Sequence, residues 1–269
     1  MMTGGWLLEN RPQRVMLRSG STGTIRSIGK SEPTIRSTTL EVRWISRGGV
    51  PPGLLDYFGP FREAAEVRED RYLVDPWFPL LGVKIRGGAS LDIKVSQGSA
   101  GELHLANAVS GRLEHWTKWT FPINSTGVPS PGSELLPDDA AWVAVHKVRR
   151  RRSFMVADNL VVERALLEAS SPGCSFEVSD VTLGEESWWT LAFEAVGPAP
   201  IVDRDLRSTA AHVFSDPLPD GLSLDRSRSM SYVRWLRSRR RSILRIPRGS
   251  RSLASVMHGG ADGQTRSRS

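Results

Sequence analysis

Apolar and polar residues alternate along most of the middle of the chain. In "TLEVRWIS" (39–46), Leu40, Val42 and Trp44 fall on one side, with Thr39, Glu41 and Arg43 on the other. "LEHWTKWTF" (113–121) sets Leu113, His115, Thr117 and Trp119 against Glu114, Trp116, Lys118 and Thr120. In "AWVAVHKVRRRRSF" (141–154), Val143, Val145, Lys147, Arg149 and Arg151 share a side. A period of two is the pattern of a half-buried strand. The same reading predicts strands at "DRYLVDP" (70–76), "LGVKIRG" (81–87), "SLDIKVSQG" (90–98), "CSFEVSDVTL" (174–183) and "WWTLAFEAVG" (188–197). Gly- and Pro-rich turns between them favour antiparallel hairpins over βαβ units. Helices are expected at "LLDYFGPFREA" (54–64), over 204–213, and at "GLSLDRSRSMSYVRWL" (221–236), the last packing Tyr232, Trp235 and Leu236.

About eight strands in one chain raise the problem of unpaired edges, which closure into a barrel removes. An eight-stranded barrel has an interior wide enough for side chains or one small ligand. With the apolar faces packed outward, the lumen holds Arg43, Lys84, Arg86, Lys94, Lys118, Lys147 and Arg149. Like charges in a low-dielectric space cost several kcal/mol each unless paired, on the order of the desolvation penalty. Phosphate oxygens neutralise such a set well, bidentately with Arg and as a point charge with Lys. The same faces carry Glu41, Glu177 and Glu194, residue types that ligate Mg²⁺ or Mn²⁺ beside a phosphate. A sandwich with one wet, charge-mixed face accounts for the alternation equally well. "LGVKIRGGASLDIKV" (81–95) separates the two: in a tunnel, Lys84, Arg86 and Lys94 converge on one cavity, with Asp92 as their ion-pair partner or an auxiliary ligand.

Charge is unevenly spread over the 269 residues. The net charge is +7, yet residues 237–269 hold nine Arg against one Asp (+8) and residues 1–38 six basic residues against two acidic (+4). The segment 39–236 therefore carries −5. Both ends are Ser-, Gly- and Arg-rich with few aromatics, a composition expected to be disordered. The tail reads either as a plain extension or as an arm for nucleic acid. The domain reading is a disordered extension over 1–38, a folded domain over 39–236, and a disordered tail over 237–269. One cysteine, Cys174, leaves no internal disulfide framework and fits a reducing cytoplasm. No run of apolar residues suits a membrane helix, so no membrane partner is expected. His146 reads as an outward strand residue, Cys174 as core, and the nine tryptophans as packing rather than base-stacking platforms.

The order Thr-Leu-Glu-Val-Arg, Arg-Tyr-Leu-Val-Asp, Val-Lys-Ile-Arg, Leu-Asp-Ile-Lys, Lys-x-Arg and a late Phe-Glu-Val resembles the CYTH domain, the triphosphate tunnel metalloenzyme fold. The closing "SMSYVRWL" is similar to that family's C-terminal helix, and the resemblance covers about 39–236. It implies an α+β fold whose centre is an eight-stranded antiparallel β-barrel, a tunnel with flanking helices. It also implies metal-dependent hydrolysis of inorganic, nucleoside or thiamine triphosphate. Lys84, Arg86, Lys94, Lys147 and Arg149 match the positions that grip phosphate and serve catalysis, with Arg43 and Lys118 as further substrate contacts. Glu41 matches the second glutamate of the opening Glu-x-Glu-x-Lys motif and is implied in catalysis and metal binding, with Glu177 and Glu194 as further Mg²⁺ or Mn²⁺ ligands. The first glutamate of that motif is Thr39 here, its lysine is Arg43, and Thr120 stands where an acidic partner of Lys118 is usual. The alternative expectation is a phosphate- or polyphosphate-binding module without turnover. Either way the partner is a phosphorylated small molecule, and the chain is a monomer or homodimer.

Overall fold

The computed structural model describes residues 35–61, 64–106, 108–123, 142–165 and 171–243. The expected disorder of 1–34 and of the tail beyond 243 lies outside the described residues, as do residues 124–141. Nine strands follow in order: β1 (Ile35–Arg47), β2 (Glu66–Leu73), β3 (Leu81–Arg86), β4 (Ser90–His104), β5 (Ser110–Pro122), β6 (Trp142–Ala157), β7 (Leu160–Arg164), β8 (Gly173–Leu183) and β9 (Glu186–Val196). Their lateral order is β2-β3-β4-β5-β1-β9-β8-β6, and β6 pairs back onto β2, which closes eight antiparallel strands into a barrel. The barrel, not the wet-faced sandwich, is therefore the fold.

The sequence reading missed β7. It pairs with the far half of β6, Ser153–Ala157, beyond the stretch Trp142–Arg149 that β2 covers. Its signal was the pair Asp158-Asn159, both in the left-handed region (φ 49° and 65°), the geometry of a tight two-residue hairpin turn. β1 also starts earlier than expected, at Ile35, inside the segment assigned to the extension.

The helices α1 (Leu54–Tyr57), α2 (Ala199–Val213) and α3 (Tyr232–Ile243) flank the barrel. The helix expected over 54–64 is described as one short turn, and α2 begins five residues before the expected 204, where Pro200 in its first turn suits a helix start. The expected helix over 221–236 is corrected: helix begins only at Tyr232 and continues past Leu236. Upstream, Asp225 accepts a hydrogen bond from the Ser227 amide at 2.8 Å and caps a 3₁₀ turn over Arg226–Arg228, so short polar side chains compete with the helical ladder.

Two apolar clusters explain the alternation. Outside the barrel, Leu40, Val42 and Trp44 of β1 pack with Phe176 of β8 and Leu191 and Phe193 of β9, beneath Val202, Leu206 and Ala210 of α2. The fit is tight at Gly111, where a Cβ would stand 2.6 Å from Val42 and 2.7 Å from the Trp44 ring. Inside one end of the barrel, Ile45, Val143, Val145, Val181 and Trp188 meet Tyr232, Trp235 and Leu236 of α3. Helix α3 thus fills that end with an apolar plug, and the intervening lumen is left to charged residues. Among the described residues, no helix is long and apolar enough to cross a membrane.

Candidate functional site

Strand parity aims the polar side chains into the lumen. On β1, Leu40, Val42 and Trp44 go outward, so Thr39, Glu41 and Arg43 go inward. The same logic brings Lys84, Arg86, Lys94, Lys118, Lys147 and Arg149 to one cavity. Glu41, Arg43, Asp92, Glu177 and Glu194 line it too, so every site residue read from the sequence converges there. Tyr232 and Val233 border it at the plugged end. A second cavity shares Arg86, Lys118, Arg149, Glu177 and Glu194 with the first. It continues toward a mouth lined by Ser37, Thr39, Arg151, Ser153 and Ser175.

Three ion-pair groups organise the lumen. In the first, Arg43 donates from Nε to Glu41 at 2.9 Å, and from a terminal nitrogen to Glu177 at 3.2 Å and the Thr190 hydroxyl at 3.3 Å. Lys94 Nζ reaches Glu41 at 2.7 Å and Glu194 at 2.9 Å. Arg149 joins Glu177 at 3.3 Å and also pairs with Glu66 on β2.

The second group surrounds Asp70, which has no solvent exposure. Its carboxylate faces Lys147 at 3.1 Å, Arg68 at 3.1 Å and Lys84 at 3.5 Å. Lys147 also donates to the Tyr72 hydroxyl at 2.7 Å and lies 4.0 Å above the Tyr232 ring. Burial alone would raise the Asp70 carboxyl, but Lys84, Lys147 and Arg68 hold it far below the usual carboxylate range. Burial pushes the Tyr72 hydroxyl up to about 12.

In the third group one carboxylate serves three cations. Asp92 lies 2.5 Å from Arg86, 3.6 Å from Lys84 and 3.7 Å from Lys118, and accepts from the Thr120 hydroxyl at 2.9 Å. Charge is short here. Burial, and then repulsion from Arg86, hold Lys84 well below its usual value despite Asp70 and Asp92. Burial likewise lowers Lys118, and Glu194 and Asp92 do not make up the difference. Taken together, the lining of the first cavity has eight Lys or Arg side chains against four carboxylates. Asp70 and Glu66, which pair with lining cations from outside the cavity, reduce the excess to two positive charges.

The carboxylates tell a different story from the cations. Burial works to raise Glu41, Glu177 and Glu194, yet neighbouring cations hold all three below their ordinary values. Each is already engaged by Lys94, Arg43 or Arg149. Among the described residues, no group of three acidic, His or Cys side chains stands in an arrangement that could hold a metal ion. The donor set in this arrangement therefore does not fit the Mg²⁺ or Mn²⁺ that the resemblance implies.

Sequence reasoning missed Asp70, Arg68 and Tyr72, although the Arg-Tyr-Leu-Val-Asp run was in view; its register would have placed Asp70 and Tyr72 on the Lys84 side. It also missed Glu114, which stands directly opposite Glu41 and is raised by burial and by Glu41's charge. His146 faces outward beside Glu69, and Cys174 is fully buried in the outer core, as expected. No protein-family model matches this chain, and no curated protein matches its sequence.

Proposed function

We propose that the barrel is a binding tunnel for a linear polyanion, a small molecule carrying a triphosphate. The observation that carries this reading is the sharing of the Asp92 carboxylate by Arg86, Lys118 and Lys84, the last also on Asp70, inside a cavity with more cations than carboxylates. An anion entering between these side chains supplies the missing negative charge. Arg offers paired donors to its oxygens and Lys a compact point charge. A chain of phosphates suits the site better than a lone phosphate, because Arg86, Lys118 and Arg149 belong to both cavities and make the cationic lining continuous. Arg151 extends it toward the hydroxyl-lined mouth.

The resemblance to triphosphate tunnel enzymes adds hydrolysis to this reading. The carboxylates that would hold the metal are committed to Lys and Arg, which favours binding without turnover. Calorimetric titration of tripolyphosphate into the full chain tests the binding, alongside a phosphate-release assay with Mg²⁺ or Mn²⁺. Saturable binding at least about tenfold tighter than orthophosphate, some 1.4 kcal/mol, supports the reading. Absence of any tripolyphosphate binding sinks it, and metal-dependent phosphate release converts the module into an enzyme.

A further inference from the structure

Three glutamates stand at one level of the sheet, and two of them, Glu41 and Glu194, line the cavity. Glu41 on β1 stands directly opposite Glu114 on β5 and Glu194 on β9. Like charges opposite one another on a sheet repel, and such a row is where a divalent cation would be sought. The structure puts an ammonium there instead: Lys94 Nζ sits between Glu41 Oε2 at 2.7 Å and Glu194 Oε1 at 2.9 Å. The next tier is filled in the same way, with the Arg43 guanidinium between Glu41 and Glu177. Lys94 reaches this place from β4 across β5, beside the Trp116 ring, whose centroid lies 5.9 Å from Nζ.

We infer that Lys94 is the resident cation of the tunnel, occupying the position between Glu41 and Glu194 so that the site engages its polyanion without a divalent metal. The tethered ammonium offsets one of the two carboxylate charges at every metal concentration, and the Arg43 guanidinium on Glu41 offsets the other. It cannot bridge the carboxylates to a phosphate as a metal ion does, and that bridging falls to Lys84, Arg86 and Lys118. The ligand rests on the reading proposed above; the exclusion of metal rests on the Glu41–Lys94–Glu194 geometry alone.

Two measurements on the full chain separate these. Mn²⁺ binding, followed by electron paramagnetic resonance, is compared in the wild type, Lys94→Met and Lys94→Arg. Removing the ammonium frees Glu194 and the Oε2 of Glu41, whose Oε1 stays on Arg43, and added ligand charge tightens metal sites. Lys94→Met should bind Mn²⁺ at least about tenfold tighter than the wild type, and Lys94→Arg, which keeps the cation, should not. Equal Mn²⁺ binding by the wild type and Lys94→Met overturns the inference. Tripolyphosphate is also titrated into the wild type with EDTA and with Mn²⁺, which needs no variant to fold. Equal affinity supports metal-free engagement, and a loss of about tenfold or more on chelation overturns it. If tripolyphosphate binds under neither condition, the polyanion reading fails, and the Mn²⁺ comparison still decides the role of Lys94.

Discussion

Lys147 Nζ lies 3.1 Å from Oδ2 of Asp70, and neither side chain has appreciable contact with solvent. The pair joins β6 to β2, the seam at which the barrel closes. Removing one partner of a buried pair leaves the other charge uncompensated, at a cost of about 3–5 kcal/mol. Asp70→Asn should therefore lower stability by about that amount in chemical denaturation, since Lys84 and Arg68 lose the same partner. Tripolyphosphate should recover part of the loss. A variant as stable as the wild type would show that the seam does not depend on this charge.

Stability should fall steeply in acid. Asp70, Glu41, Glu177 and Glu194 all titrate below their ordinary values of 3.8 and 4.5 in the folded state. A depressed folded value means that the unfolded chain binds protons first, so this stability is present above about pH 4.5 and is lost as pH falls toward the folded values. Glu114, raised by burial, works in the opposite sense but is one group against these four and the likewise lowered Asp92 and Glu66. Melting temperatures between neutral pH and about pH 3 measure the slope; a flat profile would contradict the ion-pair assignment.

Ligand binding should take up protons. Lys84 is held well below its usual value for want of counter-charge, and an anion beside it raises that value. Affinity should fall as pH climbs toward the ordinary lysine range, and calorimetry in buffers of different ionisation enthalpy should register uptake. Proton release, or no exchange at alkaline pH, would place the anion elsewhere.

Thr39 offers a test with two opposite signs. Its hydroxyl is buried at the second cavity and has no hydrogen-bond partner among the described residues. An unsatisfied buried hydroxyl costs about 1 kcal/mol or more, so Thr39→Val should raise the melting temperature by roughly 2–4 °C. If that hydroxyl donates to a bound phosphate chain, the same variant should weaken tripolyphosphate binding about fivefold, some 1 kcal/mol. Thr39→Glu should weaken it further by placing a carboxylate near Arg86, Lys118 and Arg149.

Much of this site was legible because strand parity is a strict rule. Once Leu40, Val42 and Trp44 face the outer core, Glu41 and Arg43 have no other direction, and Lys84, Arg86 and Lys94 follow by register. The alternation alone did not separate barrel from sandwich, because closure depends on one long-range pairing, β6 with β2, that no local pattern encodes; the expectation of a barrel came from the edge argument and the order of the motifs. Partner choice within the lumen was hidden for the same reason. Lys94 looked like one more phosphate ligand until β4 and β9 set it beside Glu194. The start of α3 was missed because Ser and Asp side chains satisfy the backbone locally ahead of Tyr232.

The most direct test of the polyanion tunnel is the melting temperature of the full chain with tripolyphosphate in the presence of EDTA. A ligand that binds only the folded state, supplied at about 100 times its dissociation constant, stabilises by about 2.7 kcal/mol. For a domain of this size that corresponds to a rise of roughly 5–10 °C, and Lys84→Met with Lys118→Met should abolish it. No rise in the wild type, or an equal rise in the double variant, would contradict the account.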